Sequence, residues 1–422
     1  MIGYATRNWM RSVGFLRISL FYASPGKDAC LFAVAHSHPT YKPFMKNISA
    51  PMTALANIKP LDGTVILEVG NAQASICIRL ATSFAGKIAS ELGAKVIKLE
   101  PFSGDPVRYA PPFLPSGPEG ERSALFKFLN TGKTTLSMPS DSAAATTAVD
   151  ALLGARIDGV LLEEDNELKA SFAERPLALV EIAGWPAGMP AAARLSEFTA
   201  LALGGLLDMI GEPDRKPLRL GGHQASYSAG LSVFTALMAL LAERDAGRRP
   251  PPARVSLIET AMWVNWKAIA GIDDQGKSPT RQGNQSEFQV VRCLDGWIAV
   301  VFSVTQFENL RDLVDSPALH HQKFATREGR LKHIRELYRH LEPWFAVRTR
   351  AEVYQEAQRR GVPLGPVCTP ADLITDPQNV ARGFIVPLAD ASVSGARVPR
   401  LPVLWNSHMP TRPSKVRETV VL

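Results

Sequence analysis

Apolar residues first gather into two short runs, Val65 to Val69 and the alternating KVIKLE of Lys95 to Glu100. Between them Ile76, Leu80, Phe84, Ile88 and Leu92 recur every fourth residue, and Gly93 follows. That recurrence predicts a helix with one apolar face and a glycine stop, flanked by two strands. Strand, helix and strand in so short a length form a right-handed βαβ unit with parallel strands. The pattern repeats with a helix over Ala144 to Leu153 and strands in DGVLLEE and in LALVEIAGW, Leu177 to Trp185. An α/β fold built on an open, mostly parallel sheet is expected, with ligands beyond the carboxyl ends of its strands.

Further along, Leu231, Phe234, Leu237, Met238 and Leu241 form a helical stripe that reads as core, and DAGRRPPPA from Asp245 to Ala253 ends it. RVSLIETAMWVNW then reads as a strand end running into a helix. The texture changes around residues 272–290, which are polar and glycine-rich. In RCLDGWIAVVFS an Asp-Gly turn between strand-like residues predicts a hairpin. Helices are expected at Gln306 to Leu313 and from Arg330 to Phe345, a turn-rich connector from Arg359 to Pro377, and short strands from Phe384 onward. The expected organisation is an extension over 1–58, a large domain over 59–265, a small α+β domain over 266–375, and a segment over 376–422 returning to the large domain.

A chain of 422 residues suits two or more domains, and 46% hydrophobic with 21% charged residues is ordinary for a globular protein. The net charge of +7 fits a polyphosphate ligand or simply a solvated basic surface. Basic and aromatic residues do not alternate as a nucleic-acid surface requires. Cys30, Cys77, Cys293 and Cys368 form no CxxC pair, so neither a zinc ribbon nor a disulfide framework is indicated; a reducing, cytoplasmic setting is expected. The histidines show no metal-ligand spacing, and His320 and His321 read as surface. No uninterrupted apolar run reaches membrane-spanning length. Arg7, Arg11 and Arg17 are interleaved with apolar residues, but no clean cleavage signal follows.

The chemistry is narrowed first by exclusion. GNAQAS follows the first strand in place of GxGxxG, GxSxG is absent, and NTGKTTLS lacks the first glycine of a P-loop, so GKT reads as a loop with a basic residue. Backbone N–H groups of Ala72 to Ser75, opening a helix, still make an anion- or adenine-facing site. Arg108 in EPFSGDPVR and Lys133 in NTGK come to the same sheet edge and could hold a nucleotide's phosphates.

Taken together, KPLDGTVILEVGNAQAS, ELGAKVIKLEPFSGDPVR and FLNTGKTTLSM resemble the amino-terminal signature of the family III CoA-transferases, the group that includes formyl-CoA transferase, carnitine CoA-transferase and α-methylacyl-CoA racemase. RVSLIETAM, CLDGWIAV and GVPLGPVCTPADLITDPQNVARGFIV match later segments in order, so the resemblance covers about 58–405. It implies a Rossmann-like large domain built from both chain ends, two ring-like subunits that interlock, and coenzyme A thioesters as substrates with no tightly bound cofactor. By the same resemblance Gln73 and Ala74 contact the adenosine part of CoA. Arg108 and Lys133 match basic positions, and Gly184 lies near the CoA arm.

Two departures stand out. The family's transferases carry an Asp in D-x-x-x-G whose carboxylate attacks the thioester and forms a mixed anhydride. With Gly230 as that glycine, the Asp position holds Ser226. Either His223 activates Ser226, or Ser226 serves only to cap the helix or its preceding turn. Secondly, EEDNEL, Glu163 to Leu168, replaces an Asn-Phe-x-Pro-Gly type loop, and its carboxylates would repel a pyrophosphate unless the loop turns outward into solvent. The expected function is transfer of CoA between carboxylic acids, in a homodimer or a heterodimer with a related subunit. A CoA-binding subunit paired with an Asp-bearing homologue, or an acyl-CoA racemase, is the alternative. RQGNQSEFQVV, Arg281 to Val291, is the expected substrate-facing loop.

Overall fold

The structure is a computed structural model that describes residues 59–189, 194–272, 276–278, 281, 286–388, 395–405 and 417–421. The extension over 1–58 and Cys30 lie outside the described residues. In chain order the first elements are β1 (Val65–Val69), α1 (Ile76–Glu91), β2 (Lys95–Glu100), α2 (Ala124–Asn130), β3 (Thr134–Ser137), α3 (Ser142–Leu153), β4 (Gly159–Glu163), α4 (Lys169–Ala173) and β5 (Ala178–Ala183). Then follow α5 (Glu197–Leu203), α6 (Gln224–Asp245), β6 (Ala253–Ser256), α7 (Leu257–Val264) and α8 (Trp266–Ala270).

Six of these strands and a late one, β12 (Arg417–Val421), form a seven-stranded sheet in the order β12-β3-β2-β1-β4-β5-β6, every neighbouring pair parallel. Successive residues of each strand feed opposite faces. Ile66, Val96, Leu161 and Val180 join α1 and α6, whereas Leu67, Ile97, Leu162 and Leu179 join α3 and α4. Both faces are thus covered, which is the condition a parallel sheet requires.

The GKT segment is a turn that runs directly into a strand. Gly132 turns with φ +84°, and Thr134–Ser137 then form β3, paired with β2 and β12. Only four residues long and mostly hydroxylic, this strand gave the hydropathy pattern nothing to register.

Helix α6 is long and apolar enough, by length and composition, to cross a membrane. It instead lies in the core against α1 and β5. Close approach to α1 depends on Gly230: a Cβ there would stand 2.8 Å from the Ala81 carbonyl oxygen and 3.1 Å from Phe84.

A second core belongs to the three-stranded antiparallel sheet of β7 (Gln289–Cys293), β8 (Gly296–Val300) and β9 (Gly365–Pro366). The helices α9 (Gln306–Val314), α10 (Arg327–Lys332), α11 (Ile334–Ala346) and α12 (Arg350–Arg359) lie between β8 and β9 in the chain. The Asp-Gly hairpin is present as β7 and β8. The helix expected over Arg330 to Phe345 is two helices, because His333 leaves helical geometry at φ −114°, ψ 27°. The expected connector carries β9, α13 (Pro370–Thr375) and α14 (Pro377–Ala381), both helices started by a proline behind an Asp or Thr cap. A short hairpin, β10 (Ile385–Pro387) with β11 (Arg397–Pro399), precedes β12.

Candidate active site

At the carboxyl end of β1 the chain turns through Gly70 to Ser75 into α1, and this turn is held from beneath. Arg79 Nη2 donates to the Asn71 carbonyl at 2.6 Å, and Asn71 N donates to Glu163 Oε2 at 2.7 Å. Asn71 Nδ2 reaches the Glu164 carbonyl at 2.7 Å, and Asn71 Oδ1 accepts from Gln73 N at 2.9 Å. Gln73 and Ala74 therefore stand on a braced loop, Gln73 exposed and its Oε1 taking a hydrogen bond from Arg194.

The acidic loop after β4 turns outward only in part: Asp165 and Glu167 are exposed, but the first two carboxylates are held inside the fold. Glu163 is buried and pairs with Arg79 Nε at 2.6 Å, while Glu164 Oε2 accepts from Gly184 N at 2.8 Å. Asn166 Nδ2 donates to the Gly70 carbonyl at 3.2 Å. The ends of β1 and β5 expose backbone N–H groups that need acceptors, and these carboxylates supply them. Burial pushes both the Glu163 and Glu164 carboxyls above their ordinary range. Gly184 is hemmed in by Leu195 and Glu164, whose atoms a Cβ would meet at 3.2 and 3.7 Å.

Lys133 is not at the surface. It is fully buried, and its Nζ donates to Glu68 Oε2 at 2.7 Å and to the Ser83 carbonyl at 2.9 Å. Lys98 contacts Glu68 at 2.5 Å and Asp105 at 2.8 Å, and Arg79 lies 3.6 Å from Asp105. Three cations (Arg79, Lys98, Lys133) and three carboxylates (Glu68, Asp105, Glu163) thus form one neutral network under the sheet edge. Burial opposes ionisation of Glu68, but Lys133 and Lys98 outweigh it and hold the carboxyl at about 2. Burial lowers Lys133 to about 8 despite its pairing with Glu68. Gly86 makes the space, since a Cβ there would sit 2.4 Å from Glu68 Oε2. Arg108 makes a two-point contact with Glu100, at 2.9 and 2.7 Å, and stacks 4.0 Å from the Phe126 ring. Gln73 reaches this buried network through Asn71 and Glu163, and Lys133 through Glu68, whereas Arg108 pairs with Glu100 beside it.

The amino end of α6 holds the group that the sequence reading missed. His223 is the residue before the helix, and its side chain makes no cap. Glu197, the first residue of α5, takes that role from a distance. Its Oε1 accepts from Ala225 N at 2.6 Å, and its Oε2 accepts from Ser226 N at 3.1 Å and from Ser226 Oγ at 2.5 Å. These are N–H groups that helix geometry leaves without intrahelical partners, and the positive end of the helix favours an anion there. Ser226 is fully buried and Glu197 nearly so. The Ser226–His223 pair does not form: the hydroxyl goes to Glu197, and His223 Nδ1 is buried without a hydrogen bond among the described residues. Nor does Ser226 cap the helix; it donates to the carboxylate that does.

Short-range anchors put Glu197 in place. Cys77 Sγ, in the first turn of α1, donates to the Leu195 carbonyl at 3.1 Å, and Ser196 caps α5 through Thr199 N at 3.1 Å. Burial, with Glu197 also contributing, raises the Cys77 thiol to about 11; the same two causes raise Tyr227. The segment Arg194–Glu197 therefore runs from Gln73 past Gly184 to the start of α6, linking the first βα turn to a buried carboxylate.

This arrangement can be set beside known proteins. The sequence matches CoA-transferase family III over residues 61–158 and 165–416. The chain belongs to that family. It is a CoA-transferase, moving CoA between carboxylic acids by way of acyl-CoA thioesters. It is 26% identical over 373 residues to succinate–glutarate CoA-transferase of Agrobacterium fabrum, covering 82% of this chain and 91% of that one. Human succinyl-CoA:glutarate CoA-transferase is 24% identical over 370 residues, covering 83% and 81%. Among solved structures, a CAIB/BAIF family protein from Brucella suis superposes with TM-score 0.72 at 28% identity, over 86% of this chain and 97% of that one.

Of the positions expected to serve this CoA-transferase, Gln73, Ala74 and Gly184 gather around one sheet edge. Arg108 is tied to Glu100, and Lys133 is in the core. Glu197 carried one faint sign, an acidic residue just after a Ser at a helix start; nothing in its own neighbourhood points to Ser226. Part of the expected substrate-facing loop, residues 282–285, lies outside the described residues. Arg281 is occupied by the carbonyls of Asp208, Glu212, Pro213 and Arg215, and Glu287 is paired with Arg327 and Arg330.

Proposed function

We propose that this family III CoA-transferase binds acyl-CoA at the Gly70–Ser75 turn and runs its chemistry at the amino end of α6, with Ser226 at the position of the family's attacking Asp. The observation that carries this reading is the Glu197 carboxylate, buried against Ser226 and joined through Arg194 to Gln73. A carboxylate chemistry thus keeps a carboxylate at the right helix end, although position 226 has none. CoA contacts are assigned to Gln73, Ala74 and the backbone near Gly184, with Arg194 as the added cation; Lys133 supports the edge from inside. Small dicarboxylic acids are the first substrates proposed, since two of the relatives are named for succinate and glutarate. A homodimer is also proposed: Trp263, Trp266 and Ile269 on α7 and α8 are exposed, and such an apolar face suits burial against another subunit.

The test is chromatographic detection of glutaryl-CoA from purified protein given succinyl-CoA and glutarate, with acetyl-CoA and oxalate as further donor and acceptor. Product formed by this chain alone is the expected result. Product only after adding an Asp-bearing homologue would replace this reading with that of a non-catalytic subunit.

A further inference from the structure

Resting on that reading, we propose that Glu197 itself is the residue that becomes acylated, with Ser226 as a hydrogen-bond donor to it and not a nucleophile. A serine hydroxyl needs a base to attack a thioester. Here the hydroxyl proton of Ser226 is directed at Glu197 Oε2, and His223 is not its partner. A carboxylate has about four acceptor positions. Ala225 N, Ser226 N and Ser226 Oγ fill three, so one on Oε1 carries no hydrogen bond among the described residues. That lone pair is the nucleophile.

The step balances within the carboxylate exchange. Oε1 of Glu197 attacks the acyl carbon, the C–S bond breaks, and CoA leaves as thiolate while an acyl–glutamyl anhydride forms. The thiolate then attacks Glu197 Cδ, releasing the first carboxylic acid as its anion and leaving a glutamyl–CoA thioester. The acceptor carboxylate attacks this thioester, giving a second anhydride and free thiolate. Attack of the thiolate on the new acyl carbon completes the new acyl-CoA and restores the Glu197 carboxylate. No oxidant and no net proton is required. Whenever Cδ is attacked, negative charge develops on the side-chain oxygen, and Ser226 N and Oγ are already aimed at Oε2, an oxyanion hole made of a helix N–H and a hydroxyl.

The experiment incubates the full chain with succinyl-CoA, acetyl-CoA or glutaryl-CoA, adds hydroxylamine, and maps the hydroxamate by peptide mass spectrometry. A hydroxamate on Glu197 is expected, together with a loss of at least about a thousand-fold in kcat for Glu197→Gln. Because Glu197→Gln could fail to fold, trapping on the unmodified protein decides the matter. A hydroxamate on a different residue, or CoA transfer with none on Glu197, overturns this assignment and leaves the transferase reading standing. Absence of both transfer and adduct with every donor overturns both.

Discussion

Ser226 Oγ donates a 2.5 Å hydrogen bond to Glu197 Oε2, joining residues 29 apart in the chain at the start of α6. The two helices meet there because Cys77 holds Leu195 against α1 and Gly230 lets α1 and α6 close on one another. A hydroxyl at 226 and a carboxylate at 197 thus form one unit.

Ser226→Ala removes one of three donors to that carboxylate and adds no bulk. Its effect is a fall in kcat of about a hundred-fold, the range seen when an oxyanion donor is lost, without abolition of turnover. Steady-state kinetics checks this. Complete inactivity in a folded variant would restore Ser226 as the attacking group.

Gly230→Ala would gain about 1 kcal/mol from helix propensity alone. The added methyl would instead stand 2.8 Å from the Ala81 carbonyl oxygen, forcing α6 away from α1. We expect net destabilisation of about 1–3 kcal/mol, read as a lower urea midpoint. Activity should fall too, since Ala225 and Ser226 move with the helix.

Lys133→Met leaves Glu68 facing Lys98 alone inside the core. Breaking a buried pair costs about 3–5 kcal/mol, so a marked drop in the denaturation midpoint is expected while KM for acyl-CoA is unchanged. A phosphate-binding lysine would give the opposite result, a higher KM at unaltered stability.

The same network fixes a pH dependence. Glu68, at about 2 when folded, contributes stability above the unfolded carboxylate range that is lost as pH falls toward 2. Lys133, at about 8 when folded, releases its proton earlier than the unfolded lysine, near 10.4. Between these values the unfolded chain binds more protons, so this group makes stability rise with pH. Urea unfolding at pH 8 and pH 10 should show a more positive slope for the unaltered protein than for Lys133→Met.

Gln73→Ala removes the acceptor for Arg194 but leaves the Asn71 braces intact. Loss of a binding contact away from the reacting atoms raises KM for acyl-CoA, by about two- to ten-fold for one hydrogen bond, with kcat near its original value. Equal loss in both parameters would place Gln73 in the chemistry.

Much of the fold was legible because it is local. Val65–Val69 and Lys95–Glu100 announce strands through apolar runs, and Ile76 to Leu92 announce α1 through one apolar face. β3 was not legible, since four mostly hydroxylic residues carry no period, and its strand character comes from β2 and β12 on either side. The break at His333 was hidden because apolar positions continue in register across it.

The candidate site divides along the same physical line. The chain's motifs alone determined the family, the first βα turn and the absence of a carboxylate at 226, since each is a property of contiguous residues. Only tertiary structure decided that Lys133 and Glu163 neutralise one another's network, that Glu164 caps Gly184, and that Glu197 reaches Ser226. Charge compensation and helix-end satisfaction operate over a few ångströms, and residues separated by tens of positions come within that range only after the sheet has formed.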